Sequence, residues 1–205
     1  ANVAERLGKD VDRLEYEWGQ AIKPEDIRAE LESSEKHYDV VATVMNESST
    51  GVRNPIEEIG DVVAEYPDTY FVVDAVSALG GDYVDIDEHD IDVIFASSQK
   101  AFAMPPGLAI CAVSDDAYER EVEKETSSWY GGFRRTIDYY DRKGQTHSTP
   151  AIPIMLAYRE QMKYMLEEGH EARDERHREM AEYTREWAHE HFDIFPEAGY
   201  ESQTV

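Results

Sequence analysis

The chain of 205 residues carries 45 Asp and Glu against 20 Lys and Arg, which gives a formal net charge of −25. A surface this acidic repels nucleic acid and anionic membranes, and no apolar run reaches the roughly 20 residues that a spanning helix needs. The single cysteine cannot form an internal disulfide and no basic, then apolar leader is visible, so we expect a reducing, cytoplasmic setting. An acidic coat is typical of proteins from a high-salt cytoplasm, which predicts a halophile-like source.

Short apolar, β-branched runs alternate with helical patterns along most of the chain, which predicts an α/β fold with a mostly parallel sheet flanked by helices. Residues 192–205 fit the first part of a small α+β unit, so we predict a large domain over 1–170 and the beginning of a small C-terminal domain over 171–205. The predicted strands are residues 14–18, 40–45, 70–73, 93–96 and 108–113. The predicted helices are residues 24–31, 54–66 (with Asn54 as its N-cap), a charged helix from 115, 150–168 and 171–191.

The carboxylates are unevenly distributed, and one acid-free stretch contains a lone lysine. By chance a stretch of 22 residues in this chain would contain about five Asp or Glu, yet residues 93–114 contain none and Lys100 is their only charge. A second acid-free stretch runs over 142–159. Burial in the core explains most residues of both stretches, but a lysine is rarely buried unless it is paired or its chemistry is used.

Polar groups follow three of the predicted strands, where ligands bind to an open parallel sheet. Asp74 ends one strand, Lys100 follows another, and the loop containing Ser48 follows a third. A carboxylate, an amine and hydroxyl groups that converge on one crevice suit pyridoxal phosphate, because lysine forms a Schiff base and a carboxylate keeps the pyridine nitrogen protonated. Each residue alone has a simpler explanation, as a cap, a surface lysine or a turn.

The chain resembles the class V, fold-type I pyridoxal phosphate aminotransferases of the alanine–glyoxylate/serine–pyruvate group. The matching segments cover most of residues 1–170, and the most specific one is SSQKA-x-x-x-PPG. The others are LEYEWGQAIKPEDI, NESSTGVRNPIEEIG, VVDAVSALGG and KGQTHSTPAIPIMLAYREQM.

This resemblance implies roles for individual residues. Lys100 would form the Schiff base and Asp74 would contact the pyridinium nitrogen. Ser48 would lie near the phenolic oxygen of the cofactor, Val76 against its ring, and Gln99 near its phosphate.

The resemblance also implies a homodimer with shared active sites, in which Thr149 reaches the phosphate bound by the neighbouring subunit. The implied reaction moves an amino group between a small amino acid, of the alanine or serine type, and a 2-oxo acid, of the glyoxylate or pyruvate type. Members of this group are longer at both ends and carry further phosphate-binding, ring-stacking and carboxylate-binding residues there. We therefore expect an internal fragment that is inactive alone.

Other interpretations remain open at this stage. One is a non-catalytic fragment or pseudoenzyme of the same fold, and another is a pyridoxal phosphate lyase or desulfurase-like enzyme. Cysteine desulfurases usually carry His before the Schiff-base lysine and Gln three residues after the aspartate, whereas this chain has Gln99 and Ser77, which favours a transaminase. Cys111 is predicted to be a small core residue. We predict no metal site and assign four histidines to solvated helix surface, namely His170, His177, His189 and His191.

Overall fold

A computed structural model describes residues 1–124 and 128–205 of the chain. The helices are α1 (Asn2–Arg6), α2 (Pro24–Ser33), α3 (Ile56–Val63), α4 (Asp115–Glu123), α5 (Phe133–Lys143), α6 (Ile152–Glu168) and α7 (His170–His189). The strands are β1 (Val40–Val44), β2 (Asn46–Glu47), β3 (Val52–Arg53), β4 (Tyr70–Asp74), β5 (Val93–Ser97) and β6 (Ala109–Val113).

Four strands form the main sheet, in the order β1-β4-β5-β6. The β1–β4 and β4–β5 pairs are parallel and the β5–β6 pair is antiparallel. A parallel pair needs a long crossover, and the 98–108 connection between β5 and β6 contains no helix, so the chain simply turns back. The predicted mostly parallel sheet flanked by helices is therefore confirmed, with one antiparallel edge strand.

The core lies between this sheet and α3. Phe71, Val73 and Ile94 of the sheet are fully buried, as are Ile56 and Ile59 on one face of α3. The spacing of the buried residues along α3 follows the helical period, which explains why this segment forms an amphipathic helix. Each such side chain contributes about 1.5–3 kcal/mol by its removal from water.

Three local predictions were wrong. Residues 14–18 contain no strand. Asn54 does not cap α3: its amide nitrogen donates to the Val44 carbonyl (2.8 Å) and its amide oxygen accepts from the Ile22 N–H (2.8 Å), so it links β1 to the N-terminal segment. Cys111 is exposed rather than in the core, and it lies on β6, the strand at one edge of the sheet.

The end of the chain returns to the hairpin formed by β2 and β3, a segment that the sequence indicated only as a polar loop. The Arg53 N–H donates to the Tyr200 carbonyl (2.7 Å), and the Ser202 N–H donates to the Gly51 carbonyl (2.8 Å). These bonds bring residues 200–205 alongside the loop that contains Ser48. The domain boundary near residue 170 falls at Gly169, between α6 and α7, and stays a prediction.

Candidate active site

The carboxyl ends of the parallel strands carry the side chains that the sequence indicated. Asp74 is the last residue of β4 and pairs in register with Val44 of β1 and Phe95 of β5. Ser48 lies in the turn of the β2–β3 hairpin, just after β1, and Lys100 lies in the turn that follows β5. Because β1, β4 and β5 run parallel, these three residues belong to the same edge of the sheet.

Ser48 and Lys100 line a single cavity of about 640 Å³, together with Ser77. The rest of its wall comes from Ala101, from α7, including His177 and Arg185, and from the C-terminal segment 202–205. This volume lies within the range of about 300–1,000 Å³ that is usual for small-molecule sites. The structure thus places an amine, hydroxyl groups, an imidazole and a guanidinium around one space.

The other predicted residues take different positions. Within the described part of the chain, the wall of this cavity does not include Asp74, Val76 or Gln99. The Asp74 carboxylate accepts a hydrogen bond from the Val76 N–H (3.0 Å), which fixes its orientation at the strand end. Thr149 is exposed in the segment before α6 and is likewise not a wall residue of this cavity among those described.

Ser77 is a wall residue that sequence reasoning noted only as a difference from desulfurases. Its hydroxyl is hydrogen-bonded to the hydroxyl of Ser48, and its backbone carbonyl accepts from the Thr204 hydroxyl (2.6 Å). The Thr204 hydroxyl in turn accepts from the amide nitrogen of Asn46 (2.7 Å). The position of Ser77, three residues after Asp74, is the signal that could have identified it.

A tight turn holds the backbone of Lys100. Ser98 is fully buried; its N–H donates to the Leu108 carbonyl (3.1 Å) and its hydroxyl donates to the Pro105 carbonyl (2.7 Å). Ala103 donates its N–H to the Lys100 carbonyl (2.8 Å) and has a φ of +53°, a left-handed conformation that costs a non-glycine residue about 1 kcal/mol or more. The Lys100 side chain itself is exposed toward the cavity.

A buried ion pair lies beside the serine network. Arg53 Nε contacts the carboxylate of Asp82 at 3.0 Å, and the Asp82 side chain is only 5% exposed. Burial raises the pKa of the Asp82 carboxyl, against the attraction of Arg53, which acts to lower it. Asn46 contacts both this carboxylate (3.5 Å) and the wall residue Thr204, so it connects the ion pair to the cavity wall.

His177 was predicted to be solvated helix surface, and that prediction was wrong. The residue is half-buried and lines the cavity. Its Nδ1 lies 2.8 Å from the Arg173 carbonyl, and a carbonyl oxygen only accepts, so Nδ1 carries a proton. The sequence of α7 around His177 is charged, so it does not indicate which face turns toward the cavity.

The model of the family described as Aminotransferase class-V matches residues 1–192. The chain belongs to the class-V aminotransferase family. No helix within the described ranges is long and apolar enough to cross a bilayer, and residues 1–124 and 128–205 hold no group of three or more His, Cys, Asp or Glu suited to a metal ion.

Two relatives and one solved structure illustrate what the chain is similar to. The chain is 41% identical over 190 residues to an uncharacterised aminotransferase of Methanocaldococcus jannaschii, covering 90% of this chain and 48% of that protein. It is 34% identical to the (S)-ureidoglycine–glyoxylate transaminase of Bacillus subtilis, covering 86% of this chain and 46% of that protein. The crystal structure of an alanine–glyoxylate aminotransferase from Nostoc superposes with a TM-score of 0.91 at 28% identity, covering 98% of this chain and 54% of that one. The chain thus spans about half the length of these relatives.

Proposed function

We propose that the protein containing this chain is a pyridoxal phosphate-dependent aminotransferase. It would move an amino group between a small amino acid, of the alanine or serine type, and a 2-oxo acid, of the glyoxylate or pyruvate type. The observation that carries this proposal is the position of Lys100, on a strand-end turn, at the wall of a cavity shared with Ser48 and Ser77. The relatives named as glyoxylate transaminases support the substrate class.

The chemistry of the side chains fits the cofactor. Pyridoxal phosphate supplies an aldehyde that condenses with an amine, and a protonated ring that withdraws electrons from the substrate. Lys100 offers the amine, the Asp74 carboxylate offers a partner for a protonated ring nitrogen, and the Ser48–Ser77 pair offers hydroxyl groups for an oxygen on the ring. The cavity is large enough for a ligand of this size.

Each residue has a distinct task in this proposal. Lys100 would hold the cofactor through its amine, and the same amine, when free, would take the proton from the substrate α-carbon. Asp74 would keep the ring nitrogen protonated, and the bond from the Val76 N–H fixes the orientation of its carboxylate. We further propose that Val76 packs on the ring and that Gln99, which is exposed beside Lys100, contacts the phosphate.

The assembly is also a proposal. Thr149 is exposed and is not among the described wall residues of the Lys100 cavity, which fits a residue that acts across a dimer interface. The neighbouring helix α6 exposes Ile152 and Leu156, each 51% accessible, and these apolar side chains would be covered by a second copy of the chain. We propose a homodimer in which Thr149 completes the partner's phosphate site.

A second candidate function keeps the cofactor and changes the reaction. A lyase or desulfurase-like enzyme of the same fold, an alternative that the sequence resemblance left open, would use the same lysine. Gln99 stands before the lysine and Ser77 follows the aspartate, and this pair of residues favours transamination. A protein that kept the fold and lost the chemistry is the third candidate.

Addition of pyridoxal phosphate to the full-length protein tests the proposal. We expect a visible absorbance band and, after borohydride reduction, a cofactor adduct on Lys100 in a peptide mass map. Lys100→Ala should lose both, whereas Lys124→Ala, on the exposed end of α4, should keep both. A wild-type protein that forms no band and no adduct would refute the proposal.

A panel of amino donors and 2-oxo acids separates the candidate reactions. Transamination yields a new amino acid and a new 2-oxo acid in equal amounts, whereas a lyase releases a side-chain fragment and a desulfurase releases sulfur from cysteine. We expect alanine or serine with glyoxylate or pyruvate to give transamination. Sulfur release from cysteine without transamination would favour the desulfurase-like candidate.

A further inference from the structure

Arg173 of α7 connects the two loops that follow the central strands of the sheet. Its side chain is only 12% exposed. Its Nε donates to the carbonyl of Gly80, in the loop after β4, and one Nη donates to the carbonyl of Ala101 (2.7 Å), in the turn after β5. The other Nη contacts the carboxylate of Glu168 at 2.8 Å. All three nitrogens of one guanidinium are therefore used.

The two carbonyls belong to the loops that carry the proposed chemistry. Ala101 directly follows Lys100, and Gly80 lies in the loop that begins just after Asp74. The same loops are in contact elsewhere, since a Cβ atom at Gly80 would lie 3.4 Å from the ring of Phe102. Arg173 therefore bridges the backbone beside the amine to the loop that follows the carboxylate.

A guanidinium suits this bridge, because its donors point in fixed, coplanar directions from three separate nitrogens, whereas a lysine ammonium donates from a single nitrogen. Glu168 binds the third nitrogen of the guanidinium and so helps to fix its orientation. Nε of Arg176 binds the other oxygen of the same carboxylate (2.5 Å). The hydrogen bonds of Arg173 join a charged donor to neutral carbonyls, a class that is stronger than bonds between neutral groups.

We propose that Arg173 is a positioning residue for Lys100: it holds the turn after β5 at a fixed distance from the loop after β4, and so sets where the lysine amine lies relative to Asp74. This inference rests on the proposed function for its chemical meaning. It does not require Arg173 to touch the substrate or the cofactor. A purely structural alternative is that Arg173 only fastens α7 to the sheet.

Arg176 provides a matched control for that alternative. It lies one turn further along α7, carries the same charge and binds the same Glu168, and its side chain is 43% exposed. The hydrogen bonds described for Arg176 go to Glu168, not to the carbonyls of the two loops. Arg173→Gln and Arg176→Gln therefore remove the same charge and differ in the loop bonds.

Hydrogen–deuterium exchange on the full-length protein without added cofactor is the first measurement. The amides of Ala103 and Met104 are bonded within the Lys100 turn, to the Lys100 carbonyl (2.8 Å) and the Ser98 carbonyl (3.0 Å). We expect Arg173→Gln to speed exchange of peptides covering 98–105 by about tenfold, because a bond to a charged donor that restrained local opening is lost. Arg176→Gln should leave these peptides at the wild-type rate.

The second measurement concerns the lysine itself. In protein loaded with pyridoxal phosphate, we expect Arg173→Gln and Arg173→Lys to move the midpoint of the pH titration of the visible band, while Arg176→Gln keeps the wild-type midpoint. We also expect the two Arg173 variants to lose about 10- to 100-fold in kcat, as for a misplacement of about 1 Å, with a much smaller change in KM. A residue that only fastens α7 would leave the titration midpoint unchanged.

The outcomes separate this inference from the proposed function. Equal exchange and equal titration midpoints in the Arg173 and Arg176 variants would overturn the inference, whatever their stability. Arg173→Lys keeps the positive charge beside Glu168, so it decides the question if Arg173→Gln does not fold. Absence of a visible band in the wild type would refute the proposed function, and the exchange comparison would still decide whether Arg173 holds the Lys100 turn.

Discussion

Replacement of Arg53 by methionine would leave the carboxylate of Asp82 buried without a counter-charge. Asp82 accepts from Arg53 Nε at 3.0 Å and its side chain is 5% exposed, whereas that of Arg53 is 25% exposed. Arg53 also binds Glu57 through both Nη atoms (2.6 and 3.1 Å), but that carboxylate is 26% exposed and can regain water. The cost of the substitution therefore falls mainly on Asp82.

The distance between Arg53 and Asp82 sets the size of the expected loss of stability. At 3.0 Å and an effective dielectric constant of about 20, the attraction is about 5.5 kcal/mol, and the exposed quarter of Arg53 lets solvent screen part of it. Removal of one partner from a buried pair typically costs about 3–5 kcal/mol. We expect Arg53→Met to lower the free energy of unfolding by about 3 kcal/mol, the lower end of that range, because Arg53 is partly exposed.

The pH dependence has a definite sign. Burial raises the pKa of the Asp82 carboxyl, and loss of Arg53 raises it further. A carboxyl with a raised pKa in the folded state favours folding below its unfolded pKa, and this contribution is lost as pH rises through the folded value. The deficit of Arg53→Met should therefore be smaller near pH 5 than at pH 8.

Urea unfolding of the full-length protein measures the deficit, and a double-mutant cycle with Asp82→Asn isolates the pair. Arg53→Met should cost about 2 kcal/mol less in the Asp82→Asn background, because no buried charge then remains. Additive effects within about 0.5 kcal/mol would refute the reasoning. A stability loss for Arg53→Met that does not change with pH would show that Asp82 is not the buried charge left without a partner.

Three further predictions concern packing, acid and salt. Gly60→Ala should destabilise the protein by about 1–3 kcal/mol in urea unfolding, because the new Cβ would lie 2.3 Å from the His89 carbonyl oxygen. Glu58→Ala, on the exposed face of α3, is the control. Equal destabilisation by the two substitutions would contradict the clash. Hydrogen bonds from Arg176, then from Arg173, lower the pKa of Glu168 from 4.5 to about 2, so its contribution is present above pH 4.5 and lost as pH falls toward 2. Glu168→Gln should flatten that part of a Tm-against-pH curve, and an unchanged curve would count against the two contacts. Raising the KCl concentration should raise Tm, because it screens the repulsion among charges that sum to −25, and a falling Tm would exclude this cause.

The strands illustrate what local pattern can predict. The predicted runs 40–45, 70–73, 93–96 and 108–113 each match a strand of the main sheet to within one residue at either end. A short β-branched run between polar loops has few other ways to bury its side chains, so the prediction needs no tertiary information. The strand predicted over 14–18 does not form, because it has no neighbouring strand to pair with among the described residues. The β2–β3 hairpin was not predicted, because its sequence has no apolar pattern.

Some residues of the candidate site could be predicted from local sequence and others could not. Lys100 and Asp74 could be located because apolar strands end beside them and, for Lys100, because the acid-free stretch around it is unusual in so acidic a chain. Ser77 could have been found by its spacing from Asp74. His177 and Arg173 could not, since residues 170–179 of α7 are polar apart from Ala172 and their sequence does not show which face meets the loops.

By itself, the sequence determined the alternation of strands and helices, the polar residues at the strand ends and the lone lysine between them, because these follow from burial and local pattern. The tertiary structure alone decided which side chains share the cavity. Arg173 meets Gly80 and Ala101 only because α7 packs against loops distant in the chain. A hydrogen bond needs its donor and acceptor atoms within about 3 Å of each other. Between residues distant in the chain, that distance depends on how the helices, strands and loops pack, which local sequence does not show.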